Sequence, residues 1–126
     1  ASKSSHATIV KFINSEKTKC DTGASTTMGL VAANGSSANA TCAANVGAGK
    51  SSAAVTSFNN HFQGKKFKNP YSSSNLATNS CTITDANVGC TLIAAEGSDS
   101  VKISTCYETA CTATGTTTLV DIISLK

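Results

Sequence analysis

Over the first twenty residues the apolar side chains line up on one stripe. Ile9, Phe12 and Ile13 recur at helical spacing, Ala7 and Val10 lie beside them, and Ser4, Ser5, Lys11, Asn14 and Ser15 take the other side. No Pro or Gly precedes Gly23. The pattern therefore predicts a helix over residues 1–20 that stops near Asp21-Thr22-Gly23. The stripe is already running when the sequence opens, without a clear leader or cap, which reads as something having been removed upstream. A second stretch of helical spacing covers residues 53–63. There Val55, Phe58 and Phe62 fall on one face, Ser51 or Ser52 is placed to cap the start, and Gly64 to end it.

Between and after these helices the pattern breaks up. Residues 21–52 are rich in Gly, Ala, Ser, Thr and Asn, with one apolar knot at Met28, Leu30 and Val31. Residues 34–52 read as a long loop. Lys65-Lys66-Phe67-Lys68-Asn69-Pro70-Tyr71 holds the only proline, so the chain there is expected to extend or turn, and Ser72-Ser73-Ser74 to continue the loop. From residue 81 the character changes to Thr-rich, β-branched segments: 81–84, 90–94, 101–106 and 112–125. Turn clusters separate them at 85–89, 96–99 and 107–110. This predicts an antiparallel meander of three or four strands. The expected fold class is α+β: one domain, residues 1–126, with a long N-terminal helix (1–20), a loop region (21–80) and a C-terminal antiparallel sheet (81–126). The helix buries its apolar stripe on the sheet, and disulfides staple the loops.

Composition sharpens the class. Among 126 residues 40% are hydrophobic, enough for a core, but only 13% are charged and 5% aromatic, with 18 each of Ser, Thr and Ala. Such a hydroxyl-rich, weakly charged surface is unlike that of a typical cytosolic enzyme. The net charge of +3 is carried by lysine alone. The lack of arginine argues against specific phosphate or base-edge recognition. The longest apolar run falls far short of a membrane span, and no stretch of these residues reads as a signal peptide.

Six cysteines, Cys20, Cys42, Cys81, Cys90, Cys106 and Cys111, read as disulfides formed in an oxidising compartment. A zinc site is the weaker reading, because no CxxC occurs and His6 and His61 lie far from any close cysteine pair. Many pairings are formally open. Cys106 and Cys111 flank a turn that can set them across a hairpin, Cys81 and Cys90 could pair similarly, and Cys42 could then staple the long loop to Cys20.

No catalytic, cofactor or metal site emerges. Residues 44–51, Ala-Asn-Val-Gly-Ala-Gly-Lys-Ser, come within one residue of the phosphate-binding pattern GxxxxGK[ST]. That loop requires a buried strand before it, which Thr41-Cys42-Ala43 is not, so a flexible loop leading into a helix is expected. Asp21, Asp85, Asp99 or Asp121 could complete a triad with His6 or His61, but serine is too frequent for such a match to carry weight. Both histidines are expected as exposed helix residues. Glu96-Gly97-Ser98-Asp99 has too few carboxylates for calcium and reads as a surface turn. Lys65, Lys66 and Lys68 with Phe67 and Tyr71 form a basic–aromatic patch that could touch nucleic acid or an acidic surface. The expectation is a solvated loop with its aromatics packed inward.

Taken in order, these segments resemble a type IV pilin headpiece. Residues 1–14, ASKSSHATIVKFIN, look like the membrane-distal half of a pilin's spine helix. Asn69-Pro70-Tyr71 after Lys66-Phe67-Lys68 is similar to the NPY segment found before the sheet in many pilins and pseudopilins. Cys106 and Cys111 sit where a pilin's cysteine-bounded region would lie. The sequence departs from the pattern in its six cysteines and in a last cysteine well before Lys126, after which Val120, Ile122, Ile123 and Leu125 are expected to form a closing strand. The resemblance implies a structural subunit of an extracellular filament and no enzymatic activity. Its partners would be other copies of the subunit, joined through an apolar, Glu-bearing segment absent here. That segment would also hold the precursor in the bacterial inner membrane. Adhesion to host or environmental surfaces, twitching motility and DNA uptake would belong to the assembled fibre, and the net positive charge would give at most weak, salt-dependent attraction to DNA. A secretion-system pseudopilin and a secreted disulfide-rich binding module are the alternative readings.

Overall fold

The structure, a computed structural model, describes residues 2–38, 40–65, 68–69, 72–76, 89–107 and 118–126. Within them lie helices α1 (Ser2–Asp21), α2 (Cys42–Asn45) and α3 (Ser51–Gly64) and strands β1 (Lys68–Asn69), β2 (Ser72–Leu76), β3 (Thr91–Glu96), β4 (Ser100–Cys106) and β5 (Thr118–Ser124). Strands β3, β4 and β5 form an antiparallel sheet in that order, and β1 pairs with β2 in a separate antiparallel ribbon. The molecule is thus α+β, with an N-terminal helix and a three-stranded antiparallel sheet.

Alternation along the strands explains how the layers meet. Ile93 on β3, Val101 and Ile103 on β4 and Ile123 on β5 point to one face and are buried. Register places Ile93 opposite Ile103, and Val101 opposite Ile123, so these side chains close into one apolar surface. Two helices cover it: α1 lies over β4 and β5, and α3 over β3 and β4. Ile9 and Ile13 from α1 and Ala54, Phe58 and Phe62 from α3 complete the core, with Met28, Leu30 and Leu125. The apolar stripe of α1 therefore docks as its spacing predicts, and α3 shares the sheet with it. The two helices meet through Phe12, which stacks on His61 at 4.4 Å between ring centres and packs edge-on against Phe62 at 5.6 Å.

The loop between α1 and α3 is more structured than its composition suggests. A disulfide joins Cys20 to Cys42, the staple the sequence invites. Thr41 accepts the Ala44 amide and caps the short helix α2, which breaks what reads as continuous loop. Buried Asn45 then ties Thr41 to α3, donating to the Thr41 carbonyl and accepting from Ser57. The Met28–Val31 knot forms isolated bridges, Thr27 with Thr41 and Val31 with Ser37. Its return path lies so close to the end of α3 that any side chain at Gly64 would run into the Ala32 carbonyl. Cys90 and Cys106 are also disulfide-bonded. The pairings expected for them, with Cys81 and Cys111, lie outside the described residues, as do the segment 81–84 and most of the Lys65–Tyr71 patch.

Three local expectations need correction. Ser51 and Ser52 do not cap α3. Lys50 takes that position without a side-chain bond, and the Ser51 hydroxyl reaches across to the Gly97 carbonyl of the β3–β4 turn instead. Ser72–Ser74 are strand, not loop, because the strand they open pairs with β1 through Ser72 and Leu76. Both histidines are buried, His6 at 4% and His61 at 4% exposure, where exposed helix positions were expected. The physical reason is that both His6 nitrogens find partners inside the protein, while His61 accepts the Val31 amide on Nδ1 and stacks on Phe12.

Candidate functional site

The buried face of α1 is built from His6, Ile9, Ile13 and Glu16, one stripe at helical spacing with an apolar middle and a polar group at either end. At the first end, His6 reaches two strands. Its Nε2 lies 2.7 Å from Asp121 Oδ2 on β5, and its Nδ1 lies 2.7 Å from Thr105 Oγ1 on β4. Thr105 pairs with Thr91 of β3, and their hydroxyls are 2.7 Å apart. A carboxylate can only accept, so Nε2 carries the proton. With the ring neutral, the chain then runs Thr91 to Thr105 to His6 to Asp121, each donating to the next. One line of hydrogen bonds crosses the whole sheet and locks the helix to it.

The order carboxylate, imidazole, hydroxyl is that of a hydrolytic triad, and Asp121 is one of the partners the sequence offers for His6. The burial is wrong for that chemistry. Thr91 and Thr105 are 0% exposed, so no substrate carbonyl can meet either hydroxyl. Asp121 is the accessible member, with its side chain 54% exposed. It borders an open groove of about 790 Å³ that runs along α1 past Val10, Lys11, Asn14 and Thr18.

At the second end, Glu16 accepts the Gly29 amide and pairs with Lys19 at 2.9 Å. Beside it, His61 accepts the Val31 amide on Nδ1 at 3.1 Å. Burial is the main influence holding the His61 imidazole below its ordinary pKa. Nearby Lys65 acts in the same direction, and Glu16 opposes them.

The phosphate-loop look-alike is closed off by the protein itself. The Gly47 amide donates to the Leu125 carbonyl at 2.6 Å, the Gly49 amide to Asp99 Oδ1 at 2.8 Å, and the Ser51 amide to the Ser98 carbonyl at 3.1 Å. Three amides of this loop are thus already taken, one of them by a carboxylate. Asp99 also faces Lys126 at 3.5 Å, and the Gly49 amide is the leading cause that keeps its carboxyl below the usual range. Residues 96–99 accordingly serve as a structural turn.

Among the described residues no three His, Cys, Asp or Glu side chains gather as metal ligands, and no helix is long and apolar enough to cross a membrane. What sequence reasoning missed was the anchoring role of His6. The signal was there, since His6, Ile9 and Ile13 share one helical stripe. Comparison with protein-family models, with characterised proteins and with solved structures gives no match.

Proposed function

We propose that this chain is the headpiece of a structural subunit of an extracellular type IV pilus filament, without enzymatic activity of its own. One observation carries the reading: α1 lies apolar side down on an antiparallel sheet, with the α1–α3 loop stapled by Cys20–Cys42. That is the arrangement expected of a spine helix bearing a globular coat. The His6 chain supports a structural role, because both ring nitrogens are engaged and both hydroxyls are sealed. In this reading an apolar segment upstream of α1 anchors the precursor in the inner membrane and then packs into the filament axis. The present domain faces the medium, where adhesion, motility or DNA uptake would arise from the assembled fibre. Disulfides suit that setting, since they limit unfolding where proteases and shear act.

The test uses cells that make the full-length protein. Antibodies against the folded headpiece are applied in immunogold electron microscopy, and material sheared from the cells is probed in parallel. Label running along surface fibres is the expected result. Antigen found only as free secreted protein would overturn the filament reading in favour of a secreted binding module, and antigen confined to the cell envelope in favour of a pseudopilin.

A further inference from the structure

The turn at residues 32–37 holds a chemistry that neither the fold nor the filament reading uses. Asn34 precedes Gly35, and both are exposed. Gly35 has φ +89, a conformation that residues with a side chain rarely adopt. The Asn34 side chain is held by Ser36: Oδ1 accepts the Ser36 amide at 3.0 Å and the Ser36 hydroxyl at 2.7 Å. A backbone N–H can only donate, so the atom facing it is the amide oxygen and not the nitrogen. The carbonyl is therefore polarised by two donors, and they sit on the oxygen that would gain charge if the amide carbon were attacked.

We infer that Asn34 is a site of spontaneous backbone-assisted deamidation, a self-modification that needs only water. The Gly35 N–H gives its proton to solvent base, and the nitrogen forms a bond to Asn34 Cγ while the C=O electron pair moves onto Oδ1. The two Ser36 donors meet the charge that develops there. When the pair returns, the Cγ–Nδ2 bond breaks and Nδ2 leaves as ammonia with a proton from solvent, closing a succinimide ring. Water then opens the ring at either carbonyl to give aspartate or isoaspartate. The balance is asparagine plus water to aspartyl product plus ammonia. Ring closure must release the Gly35 amide from its 2.9 Å bond to the Ala32 carbonyl, a bond within an exposed turn that solvent can replace.

The product matters because of where the turn sits. A carboxylate at residue 34 lowers the formal net charge of +3 by one. An isoaspartyl link adds a methylene to the backbone inside the Val31–Ser37 bridge, and the same segment supplies the Val31 amide to His61 and packs Ala32 against Gly64. Ageing of the turn would thus loosen the loop's seat on the end of α3.

The experiment incubates the folded, oxidised protein in mildly alkaline buffer at physiological temperature, with the reduced, denatured chain in parallel. Conversion is read by peptide mass mapping for the NH2-to-OH mass change and by isoaspartyl methyltransferase labelling. Asn34 is expected to convert at least as fast in the folded protein as in the denatured chain, and Ser36→Ala, an exposed change compatible with folding, is expected to slow the folded protein several-fold. Asn34 persisting in the folded protein while the denatured chain converts would overturn the proposal. Equal rates for Ser36→Ala and the parent chain would overturn the role given to the Ser36 hydroxyl.

Discussion

Thr105→Val is the sharpest probe of the hydrogen-bond line that fastens α1 to the sheet. The change keeps the side-chain shape and removes one hydroxyl at a position with 0% exposure. In the parent chain that hydroxyl bonds both His6 Nδ1 and the Thr91 hydroxyl, each at 2.7 Å. After the change His6 Nδ1 has lost its partner, because valine offers it neither a donor nor an acceptor, while Nε2–H stays on Asp121. The Thr91 hydroxyl has lost its acceptor. Each buried group left unpaired costs about 1–3 kcal/mol, and the added methyl recovers a fraction of this through burial, so a net loss of about 2–4 kcal/mol is expected. Asp121→Asn is the control. Its side chain is 54% exposed and the amide oxygen still accepts from Nε2, so the expected cost is about 0–1 kcal/mol. The double variant Thr91→Val/Thr105→Val should cost no more than Thr105→Val alone, because Thr91 has already lost its partner. Urea unfolding reads all three as shifts in midpoint at constant slope. A neutral Thr105→Val, or an Asp121→Asn that costs more than Thr105→Val, would refute the line as drawn.

Ile13→Ala removes a fully buried side chain from the centre of the α1 stripe and should destabilise by about 2–5 kcal/mol in the same assay. An unchanged midpoint would mean that α1 does not dock there. Replacing Cys20 and Cys42 together by serine opens a loop with a sequence separation of 22 and should cost about 3 kcal/mol, read as a lower thermal midpoint under non-reducing conditions. His61 sets a pH dependence. Its folded pKa lies below the ordinary imidazole value of 6.5, chiefly through burial, so the unfolded chain binds the proton more readily. The stability it contributes is present above 6.5 and is lost as pH falls through the lower folded value. The drop in urea midpoint from neutral to mildly acidic buffer should therefore shrink in His61→Gln, and an identical drop in both proteins would refute the assignment.

The helices were legible because their signal is local and repetitive. Ile9, Phe12 and Ile13, and then Val55, Phe58 and Phe62, repeat at the helical period, and the observed ends of α1 and α3 fall close to those expected. The two strands that meet at the Gly97–Asp99 turn were legible for the same reason. The fate of the polar groups was not. His6 shares the stripe of Ile9 and Ile13, yet whether an imidazole there is buried depends on Thr105 and Asp121, which lie about a hundred residues away in sequence. Ser51 looked like a cap because caps are local, but a carbonyl from the β3–β4 turn competes for its hydroxyl and wins. Hydroxyl-rich segments such as 72–76 carry too little apolar contrast to show a period of two, so pairing with β1 decides their conformation and composition does not.

The arrangement of polar groups along α1 has a mechanical consequence on the filament reading. An apolar contact is tolerant of sliding, because Ile9 and Ile13 could ride along the sheet at modest cost without losing their burial all at once. The groups at the two ends of the stripe are directional. Hydrogen bonds from His6 to β4 and β5 fix the first end, and Glu16 on the Gly29 amide and the Cys20–Cys42 bridge fix the second. A pull along the helix axis would have to break the His6 pair before Ile9 and Ile13 could shift, and the covalent bridge would still hold the far end to the loop. Polar anchors flanking a greasy centre therefore contribute register more than net stability, and register is what a subunit loaded along its helix most needs to keep. On this view Thr105→Val should matter most under load, lowering the force at which α1 separates from the sheet by a larger fraction than an equally destabilising change at Ile123, which holds no part of the hydrogen-bond line. Single-molecule pulling along the helix would distinguish the two, and equal losses of force would leave the line with no mechanical role.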